Sequence, residues 1–443
     1  MRVVIVGAGE VGSNTAASLS EDHEVVVVDV DADLAESLSY DIDVLPVAGD
    51  ATEMETLEEA EVGEADLLIA STDDDETNLV ACGIANVCGD AFTIARTKSP
   101  KYLRPWEGGK RAFGVDFMVC TEMLTAETIA GLTGLPTAQD VDTFADGLVQ
   151  MTEFEIPTDS PVADQTVETA DRLDSLTFAG ILRDGEVVIP RGETVLRAGD
   201  DVVVIGSPES IRGFSTALTP EQNGVTDVVI IGGGQVGYQT ARLLEEGGFS
   251  PRLFERDDAR ARWLAEQLPR TTVLNGNPTD QDLLARERVG NADLVVAALD
   301  TDQENLLVTL LSRRLGAERA ISVVEAVDFV DLFETVGVDV AVSPRKVTAE
   351  EITRFTRSRR TENVHIIEGV EAEVLEFEVE AGSILVDRTI EEAATQFPEG
   401  VVIGAIARDG TEITPRGDTV VREGDHVVVL AETDAVQDVT DGM

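Results

Sequence analysis

Two glycine motifs carry the clearest chemical signal in this sequence. The stretch VVIVGAGEVGSNTA occupies residues 3–16, and VVIIGGGQVGYQTA occupies residues 228–241. The first glycine of Gly-x-Gly-x-x-Gly permits a tight turn, the second lets the backbone approach a pyrophosphate, and the third lets a helix pack on a strand. The pattern predicts two dinucleotide sites, each at a helix start whose free N–H groups face the phosphates. The alternative is a glycine turn that serves packing alone.

An acidic residue follows each motif, at the end of the next apolar run. Asp29 comes after VVVV in the first copy, and Glu255 takes the equivalent place in the second. A carboxylate there can accept hydrogen bonds from both hydroxyls of an adenosine ribose, and it would repel a 2′-phosphate. The residue type therefore favours NAD over NADP.

Further polar residues follow two more predicted strands. Asp50 follows the third strand, and Thr72 with Asp73 follows the fourth. Ligands bind at the carboxyl ends of strands in a doubly wound sheet, which would place these side chains beside the adenosine and ribose. Helix capping is the alternative, by Asp50 or Thr52 for one helix and by Asp73 or Asp74 for the next. Both roles can hold at once.

The elements that must position these residues alternate along the chain. Short Val-rich runs, of the kind buried on both faces of a parallel sheet, are separated by helical segments. This alternation predicts α/β domains with a doubly wound, Rossmann-like parallel sheet. In the first copy we expect strands near 2–7, 24–29, 43–47, 66–70, 91–95 and 115–119.

The whole chain is internally repeated. The first glycines lie 225 residues apart (232 − 7 = 225), and a smaller unit at 183–206 matches 408–431. Asp-Gly pairs at 184–185 and 409–410 predict hairpin turns, so this smaller unit reads as a β-rich α+β domain. We expect the order large–small–large–small, with a linker at 219–227 and domains at 1–135, 136–219, 220–350 and 351–443.

The composition excludes some partners. The 443 residues include 33 Lys and Arg against 86 Asp and Glu, a formal net charge of −53. That charge argues against nucleic acid or an anionic membrane surface as a direct partner, and it is typical of a protein from a very salty, halophilic cytoplasm. We expect no signal peptide and no membrane span. Three cysteines without CxxC spacing indicate a reducing cytosol, and the scattered histidines predict no metal site.

On these residues the sequence resembles the Trk potassium uptake regulatory subunits, the TrkA family, within the wider group whose RCK domains regulate K⁺ conductance. The resemblance spans essentially the whole chain. It is carried by the doubled glycine motif with its acidic residue, and by GDAT at 49–52 and ASTDDDETNLVAC at 70–82. In the small domains it is carried by PRGETVLRAGD and PRGDTVVREGD. Turns connecting strands explain the last two segments sufficiently, and no ligand of the small domains is identified.

The resemblance implies a function and a set of contacts. It implies a cytoplasmic, peripheral protein that forms a ring, a homotetramer, beneath a membrane-embedded K⁺-translocating subunit (TrkH-like). Nucleotide binding would change the shape of the ring and so gate that partner. When the third glycine of the motif is included, the family's nucleotide contacts map in the first copy onto Gly7, Ala8, Gly9, Glu10, Val11, Gly12, Asp29, Asp50, Ala51, Thr72, Asp73 and Arg96. In the second copy they map onto Gly232, Gly233, Gly234, Gln235, Val236, Gly237, Glu255, Asn277, Leu299 and Asp300.

The sequence departs from the family pattern at the glycine loops. Some ATP-responsive relatives have Arg between the second and third glycines, where this chain has Glu10 and Gln235. A carboxylate there opposes a triphosphate, so we expect NAD(H) in the first site, with ATP, ADP or AMP as the alternative in one site. Arg96 ends the fifth strand and either meets a phosphate or pairs with an acid. We align it with Glu325, so the second site lacks that cation and is the weaker assignment.

The competing class is an NAD-dependent oxidoreductase, which needs an acid–base group beside the nicotinamide. His23 is expected far from the carboxyl ends of the strands, His365 and His426 in or near the small domains, and Cys82 in a helix core. No Ser-His-Asp or Cys-His arrangement is indicated, so we expect a regulator and not an enzyme. A scaffold without ligand would leave the glycines and acids unexplained.

Two helical segments are candidates for contacts between subunits. The stretches 120–132 and 345–358 are expected to form amphipathic helices, and core packing within a domain is the alternative.

Overall fold

The computed structural model describes residues 1–20, 23–108, 112–135, 137–171, 175–183, 186–220, 225–357, 363–367, 372–395, 397–398 and 400–442. The chain forms two compact units. One consists of 1–129 with 226–353, and the other of 130–225 with 354–443. The first unit contains both large domains, and the second contains both small domains.

The first large domain is built on six parallel strands. They are β1 (Arg2–Val6), β2 (Glu24–Asp29), β3 (Val44–Ala48), β4 (Leu67–Ala70), β5 (Phe92–Thr97) and β6 (Phe117–Cys120). The sheet order is β3-β2-β1-β4-β5-β6, and every neighbouring pair is parallel. Each strand lies within two residues of its predicted position. The order reverses between β1 and β4, and ligands of such sheets bind at that crevice.

Helices cover the sheet and explain why its Val-rich strands are buried. They are α1 (Glu10–Ser20), α2 (Ala32–Asp41), α3 (Met54–Glu59), α4 (Asp75–Cys88), α5 (Leu103–Gly108) and α6 (Thr121–Thr133). In β1 the four residues after Arg2 are all buried. The core beneath α4 includes Cys82, whose thiol is fully buried.

The first small domain is an antiparallel sheet with two helices. Its elements are β7 (Ala138–Phe144), β8 (Val149–Glu155), α7 (Val167–Ala170), β9 (Leu176–Arg183), β10 (Glu186–Val188), β11 (Asp201–Gly206) and α8 (Pro208–Leu218). The strand order is β10-β9-β11-β8-β7. The turn predicted at 184–185 lies outside the described residues.

The second large domain repeats the first. Its strands are β12 (Val228–Ile231), β13 (Arg252–Glu255), β14 (Thr272–Asn275), β15 (Leu294–Ala297), β16 (Arg319–Val323) and β17 (Val340–Val342). Its helices are α9 (Gln235–Glu246), α10 (Asp258–Gln267), α11 (Gln281–Arg286), α12 (Asp302–Leu315), α13 (Val330–Thr335) and α14 (Pro344–Arg357). The order β14-β13-β12-β15-β16-β17 is that of the first sheet.

The second small domain repeats the first small domain. Its elements are β18 (Asn363–Ile366), β19 (Ala372–Glu378), α15 (Ile390–Ala394), β20 (Val401–Arg408), β21 (Thr411–Ile413), β22 (His426–Glu432) and α16 (Thr433–Gly442). The hairpin between β20 and β21 turns at Asp409 and Gly410, which have φ +50° and +75°. Such a two-residue turn needs positive φ at both positions, which is why Asp-Gly predicts it.

A buried ion pair fixes each small domain at its PRG segment. Arg183 binds Asp200 through Nε at 2.7 Å and Nη2 at 2.6 Å. Arg408 binds Asp425 at the same two distances. Both aspartates are almost fully buried, so the final Asp of each segment has a structural role.

The predicted fold class, two Rossmann-like α/β domains each followed by a small α+β domain, is confirmed. Among the described residues, no helix combines the length and the apolar character needed to cross a bilayer.

Candidate nucleotide sites

The first glycine loop, residues 7–12, connects β1 to α1. Gly7 has φ +102°, and a Cβ on Gly12 would lie 1.8 Å from the carbonyl oxygen of Gly7. By contrast, no described atom lies within 4 Å of a Cβ built on Gly9. The loop is therefore closed on the helix side and open at Gly9, where a bound group can reach the backbone. The N–H groups of the first helical turn have no acceptor within α1.

The second glycine loop, residues 232–237, has the same geometry. Gly232 has φ +115°, and a Cβ built on Gly237 would lie 1.9 Å from the carbonyl oxygen of Gly232. The space around a Cβ on Gly234 is again free of described atoms within 4 Å. Each copy thus uses its three glycines for the turn, for access and for helix packing.

The acidic residue of each copy lies against its glycine loop. The Ala8 N–H donates to Asp29 Oδ2 at 2.6 Å, and the Asp31 N–H donates to Oδ1 at 2.8 Å. In the second copy, Glu255 Oε1 accepts from the Asp257 N–H at 2.7 Å. Each carboxylate oxygen keeps a second lone pair, so these bonds orient the carboxylate and leave capacity for ribose hydroxyls.

A buried asparagine organises the strand end beside the first loop. Asn78 Oδ1 accepts from the Thr72 N–H at 2.9 Å and from the Thr72 hydroxyl at 2.7 Å. Its amide donates to the carbonyl oxygens of Thr72 and Arg96. Asn305 makes the matching bonds to Leu299 and Val323. The sequence repeat contained both asparagines, but it indicated no role for them.

Asp50 and Asn277 occupy equivalent exposed turns. Asp50 Oδ1 accepts from the N–H and the hydroxyl of Thr52 at 2.8 and 2.7 Å, and these bonds, the N–H bond first, lower the pKa of Asp50. Asn277 Oδ1 accepts from Thr279 in the same way. Neither Asp50 nor Thr52 caps the next helix, because the N-cap residue of α3 is Glu53, so the capping alternative is wrong at this position. The side chains of Asp50 and Asn277 remain exposed.

Asp73 and Asp74 have different roles. Asp74 caps α4, because its Oδ1 accepts from the Thr77 N–H at 2.7 Å. Asp73 instead pairs with Arg96 at 3.1 Å and with Lys98 at 2.9 Å. Burial raises the pKa of Asp73, but the hydrogen bonds and charges of Lys98 and Arg96 outweigh it and hold that pKa below its usual range.

Arg96 is a buried cation, only 4% exposed. Its Nη1 donates to the carbonyl oxygens of Ser71 and Thr72, both at 3.3 Å, and its Nε donates to Thr121 Oγ1 at 3.2 Å. Arg96 was expected to meet a phosphate or to pair with an acid, and in the structure it pairs with Asp73.

The alignment of Arg96 with Glu325 is wrong. Asn78 donates to the Arg96 carbonyl and Asn305 donates to the Val323 carbonyl, so Arg96 corresponds to Val323. The paired strands agree, because the copies remain in register here at an offset of 227 (305 − 78 = 227, 323 − 96 = 227). The second site still lacks a cation equivalent to Arg96, because the corresponding residue is Val323.

Glu325 corresponds instead to Lys98. The N–H of Lys98 donates to Asp75, and the N–H of Glu325 donates to Asp302, the first residue of the equivalent helix. The charge at this position is therefore reversed between the two copies.

One cation of the first site comes from the second large domain. Arg345, in the first turn of α14, places Nη1 2.7 Å from Glu10 Oε2 and Nε 3.6 Å from Glu325 Oε2. The charge of Asp73 acts on it as well. Glu10 is therefore not an uncompensated anion, and its repulsion of a triphosphate is weaker than the sequence alone suggests. No local pattern could indicate Arg345, because it lies in the other copy.

The second site has its own cations. Arg260 donates from Nε to the Gly233 carbonyl at 2.8 Å, and its guanidinium lies 4.3 Å from the ring centre of Trp263. Arg256 pairs with Asp300 at 3.3 Å, and both side chains are largely exposed. Neither arginine was among the predicted site residues, although Arg256 directly follows Glu255.

The structure brings the predicted residues of the first copy together at one edge of the sheet. Gly7 packs against Thr72, Asp29 bonds to Ala8, and the end of β3 before Asp50 lies beside the end of β2. Val11 and Ala51 are buried, so they can offer only backbone groups. In the second copy, Val236 is half-buried and Gln235 exposed.

The three histidines lie away from the strand ends that form the sites. His365 contacts Asp140 at 3.0 Å, and His426 contacts Glu376 at 3.0 Å, all within the small-domain unit. His23 precedes β2, at the opposite end from Asp29. Burial raises the pKa of Cys120 to about 11 and raises that of Cys82 further, so both thiols are protonated at neutral pH.

The two candidate packing segments are both helical over their described residues, while position 358 of the second lies outside them. In α14 the apolar and polar residues separate onto two faces, whereas in α6 the apolar residues are spread around the helix. The prediction of an amphipathic helix at 120–132 is therefore wrong, and the role of both segments between subunits stays a prediction.

The duplicated arrangement places the chain in a class of proteins built from two pairs of a Rossmann-like domain and a small domain. The model of the TrkA-N domain matches residues 3–120 and 228–344, and the model of the TrkA-C domain matches 151–218 and 374–441. The Trk system potassium uptake protein TrkA homolog 1 of Methanosarcina mazei is 36% identical over 447 residues and covers 99% of both chains. TrkA of Haemophilus influenzae is 31% identical, over 97% of this chain and 95% of its own. The chain belongs to the TrkA family, as the sequence resemblance predicted.

Solved structures share the fold. The GsuK channel bound to NAD aligns with a TM-score of 0.62 at 20% identity, over 100% of this chain and 78% of that one. The GsuK RCK domain aligns with a TM-score of 0.63 at 20% identity, over 99% and 94%. GsuK bound to ADP aligns with a TM-score of 0.51 at 16% identity, over 81% and 70%.

Proposed function

We propose that this chain is the nucleotide-sensing regulatory subunit of a potassium uptake system. In this proposal its large domains bind NAD(H), and binding changes the conformation of a ring that gates a membrane-embedded K⁺-translocating partner. The observation that carries the proposal is the open backbone at Gly9 next to the Asp29 carboxylate. These two features are what the pyrophosphate and the ribose of a dinucleotide require.

The names of the relatives support the transport part. The homologues from Methanosarcina mazei and Haemophilus influenzae are potassium uptake proteins of the Trk system. We propose that this chain, like the ring-forming group it resembles, assembles as a homotetramer at the cytosolic face of the membrane. The domain limits 1–135, 136–219, 220–350 and 351–443 belong to the same proposal.

NAD(H) is the proposed ligand of the first site. The choice follows from Asp29, which suits a free ribose 2′-hydroxyl, and the channel GsuK has been solved with NAD and with ADP. The second site, with Glu255 and the Arg260 side chain at its glycine loop, is proposed to take an adenine nucleotide or NAD(H) more weakly. A ligand acts by binding one ring conformation better than the other, which shifts the population between them.

Calorimetry tests the first site directly. Asp29→Ala should weaken NADH binding at least about tenfold, because it removes the acceptor for the ribose, a change of roughly 1.4 kcal/mol. Asp31→Ala, a neighbouring carboxylate that caps α2, is the matched control and should leave affinity unchanged. Equal affinities of wild type and Asp29→Ala would remove Asp29 from the site.

Transport and turnover tests separate the regulator from the oxidoreductase. Full-length protein should co-purify with a K⁺-translocating membrane protein from its native host, and ion flux through that complex in vesicles should change on adding NADH. Steady oxidation of NADH with added metabolites would instead support the enzyme class. Flux that is insensitive to every nucleotide would refute the sensing role.

A further inference from the structure

Arg345 reaches the first candidate site from the other large domain. It is partly buried, with 28% of its side chain exposed, and it contacts Glu10 within the first glycine loop at 2.7 Å. Glu10 is the first residue of α1, where the free N–H groups of the helix would hold a phosphate. The guanidinium thus contacts the residue directly after Gly9, around whose Cβ position no described atom lies within 4 Å.

The helix that carries Arg345 is fixed to the first domain by a buried polar contact. The Thr348 hydroxyl donates to Thr121 Oγ1 at 2.9 Å, and both side chains are buried. Thr121 in turn accepts from Arg96, which pairs with Asp73. The position of α14 is therefore tied to the strand ends around the site, and Arg345 is not a loosely placed surface side chain.

The carboxylates around Arg345 outnumber it. Glu10 and Glu325 contact it directly, and the charge of Asp73 also acts on it. Lys98 and Arg96 already neutralise Asp73. A guanidinium shared between carboxylates can exchange one of them for a phosphate, whose charge and geometry it binds bidentately.

We propose that Arg345 is a ligand-binding residue of the first site, supplied by the second large domain, and that it binds a phosphate group of the nucleotide in place of Glu10. This inference rests on the proposed nucleotide site. The chemical class it recognises is an adenosine diphosphate moiety, whether within NAD(H) or as free ADP or ATP.

The exchange has a signature that a purely structural ion pair lacks. Arg345→Gln removes the cation, and nucleotide affinity should fall about tenfold, the value of one charge-assisted hydrogen bond. Glu10→Gln removes the competitor, and affinity should rise by a few-fold because Arg345 is released and a like charge is lost. If the pair only held the domains together, both variants would break it alike, and affinity would change in the same direction.

The experiment is titration calorimetry of the full-length protein with NADH, ADP, ATP and adenosine. Arg286→Gln is the matched control, because Arg286 is an exposed arginine of the same domain that pairs with the neighbouring Glu287. Thermal unfolding monitored by circular dichroism verifies that each variant is folded. If Arg345→Gln does not fold, Arg345→Lys, which keeps the charge, replaces it in the titration. A loss for NADH equal to that for ADP points to the pyrophosphate, and a larger loss for ATP points to a terminal phosphate.

The outcomes separate this inference from the proposed function. Opposite shifts for Arg345→Gln and Glu10→Gln, with adenosine unaffected, support it. An unchanged affinity of Arg345→Gln, while Asp29→Ala abolishes binding, overturns it and leaves the nucleotide site standing. An equal loss for adenosine also overturns it, since adenosine has no phosphate. Absence of binding by the wild type to all four ligands would remove both proposals.

Discussion

The two large domains share one frame but differ at the rim of their sites. Strand order, the three glycines and the buried asparagine are the same in both. The side chains around the loops differ between the two domains. The second domain has Val323, Glu325 and Arg345 where the first has Arg96, Lys98 and Glu122. The duplication has thus kept what closes the loop and exchanged the charges that a ligand would meet.

The exchanged charges have a consequence for contacts between the domains. Arg345 of the second domain neutralises Glu10 of the first, whereas Glu122, its counterpart, lies near Glu325. Beside Glu122, Met123 of α6 contacts Arg242 of α9. The interface is therefore asymmetric in charge although the two folds are alike, and the first site is the better supplied with cations from its surroundings.

The largest predicted effect is a difference in stability loss between substitutions at the third and at the second glycine of each loop. Gly12→Ala and Gly237→Ala each place a Cβ against a carbonyl oxygen, and we expect a loss of stability of about 3 kcal/mol or more. Gly9→Ala and Gly234→Ala meet no described atom, so stability should change by less than about 0.5 kcal/mol while nucleotide affinity falls. Denaturant unfolding of the four variants checks this, and a stable Gly12→Ala would show that the loop is not closed as described.

The next largest effect is the stability lost when the buried asparagine is replaced, and it should be equal in the two large domains. Asn78→Ala and Asn305→Ala each leave a buried backbone N–H and a buried carbonyl without their partner, at a cost of about 2 kcal/mol. Unfolding curves of both variants measure the cost. A large loss in one copy only would mean that the shared frame does not depend on the asparagine in both.

The smallest effect concerns pH and should exist only in the first copy. Burial, then the charge of Asp75, then that of Glu325 raise the pKa of Glu122 from 4.5 to about 7, against the opposing charge of Lys98. Because the folded pKa is the higher one, the stabilisation is complete below about pH 4 and is lost as the pH rises through 7. The carboxyl is only half-buried, so solvent screening reduces the effect to about 1 kcal/mol.

Glu122→Gln should therefore be about 1 kcal/mol more stable than the wild type at pH 8 and nearly equal to it at pH 5. The difference between the two proteins cancels the titration of the many other acids. Thermal unfolding at both pH values provides the measurement, and a difference that does not vary with pH would contradict the assigned environment of Glu122.

The sequence predicted what depends on local patterns. Val-rich runs and glycine spacing placed the strands and both loops, and the Asp-Gly turn at 409–410 is present. Asp29 was expected beside the loop because a parallel sheet brings the ends of neighbouring strands together. Fold class and family followed from these features.

What the sequence could not predict depends on contacts between distant segments. Arg345 and Glu10 belong to different copies, and nothing in the residues around either indicates their pairing. The burial of Arg96 follows from Thr121 and Asp73, which close over it from the adjoining strand ends. Pairing Arg96 with Glu325 used an offset of 229 (325 − 96 = 229), whereas the copies lie 225 residues apart at the glycines and 227 apart at the asparagines. A residue-by-residue comparison therefore slips unless the strand pairing is known.

The open backbone at Gly9 and Gly234 also bears on how such a pair of domains can diverge after duplication. Every residue except proline has a main-chain N–H, so while the glycines are kept, substitutions around them leave that part of the proposed recognition in place. Substitutions at the rim, such as those that separate Lys98 from Glu325, can then accumulate in one copy without first destroying its hold on a shared ligand moiety. Under the proposed function, the architecture allows the two sites to differ in ligand preference while they share one backbone arrangement.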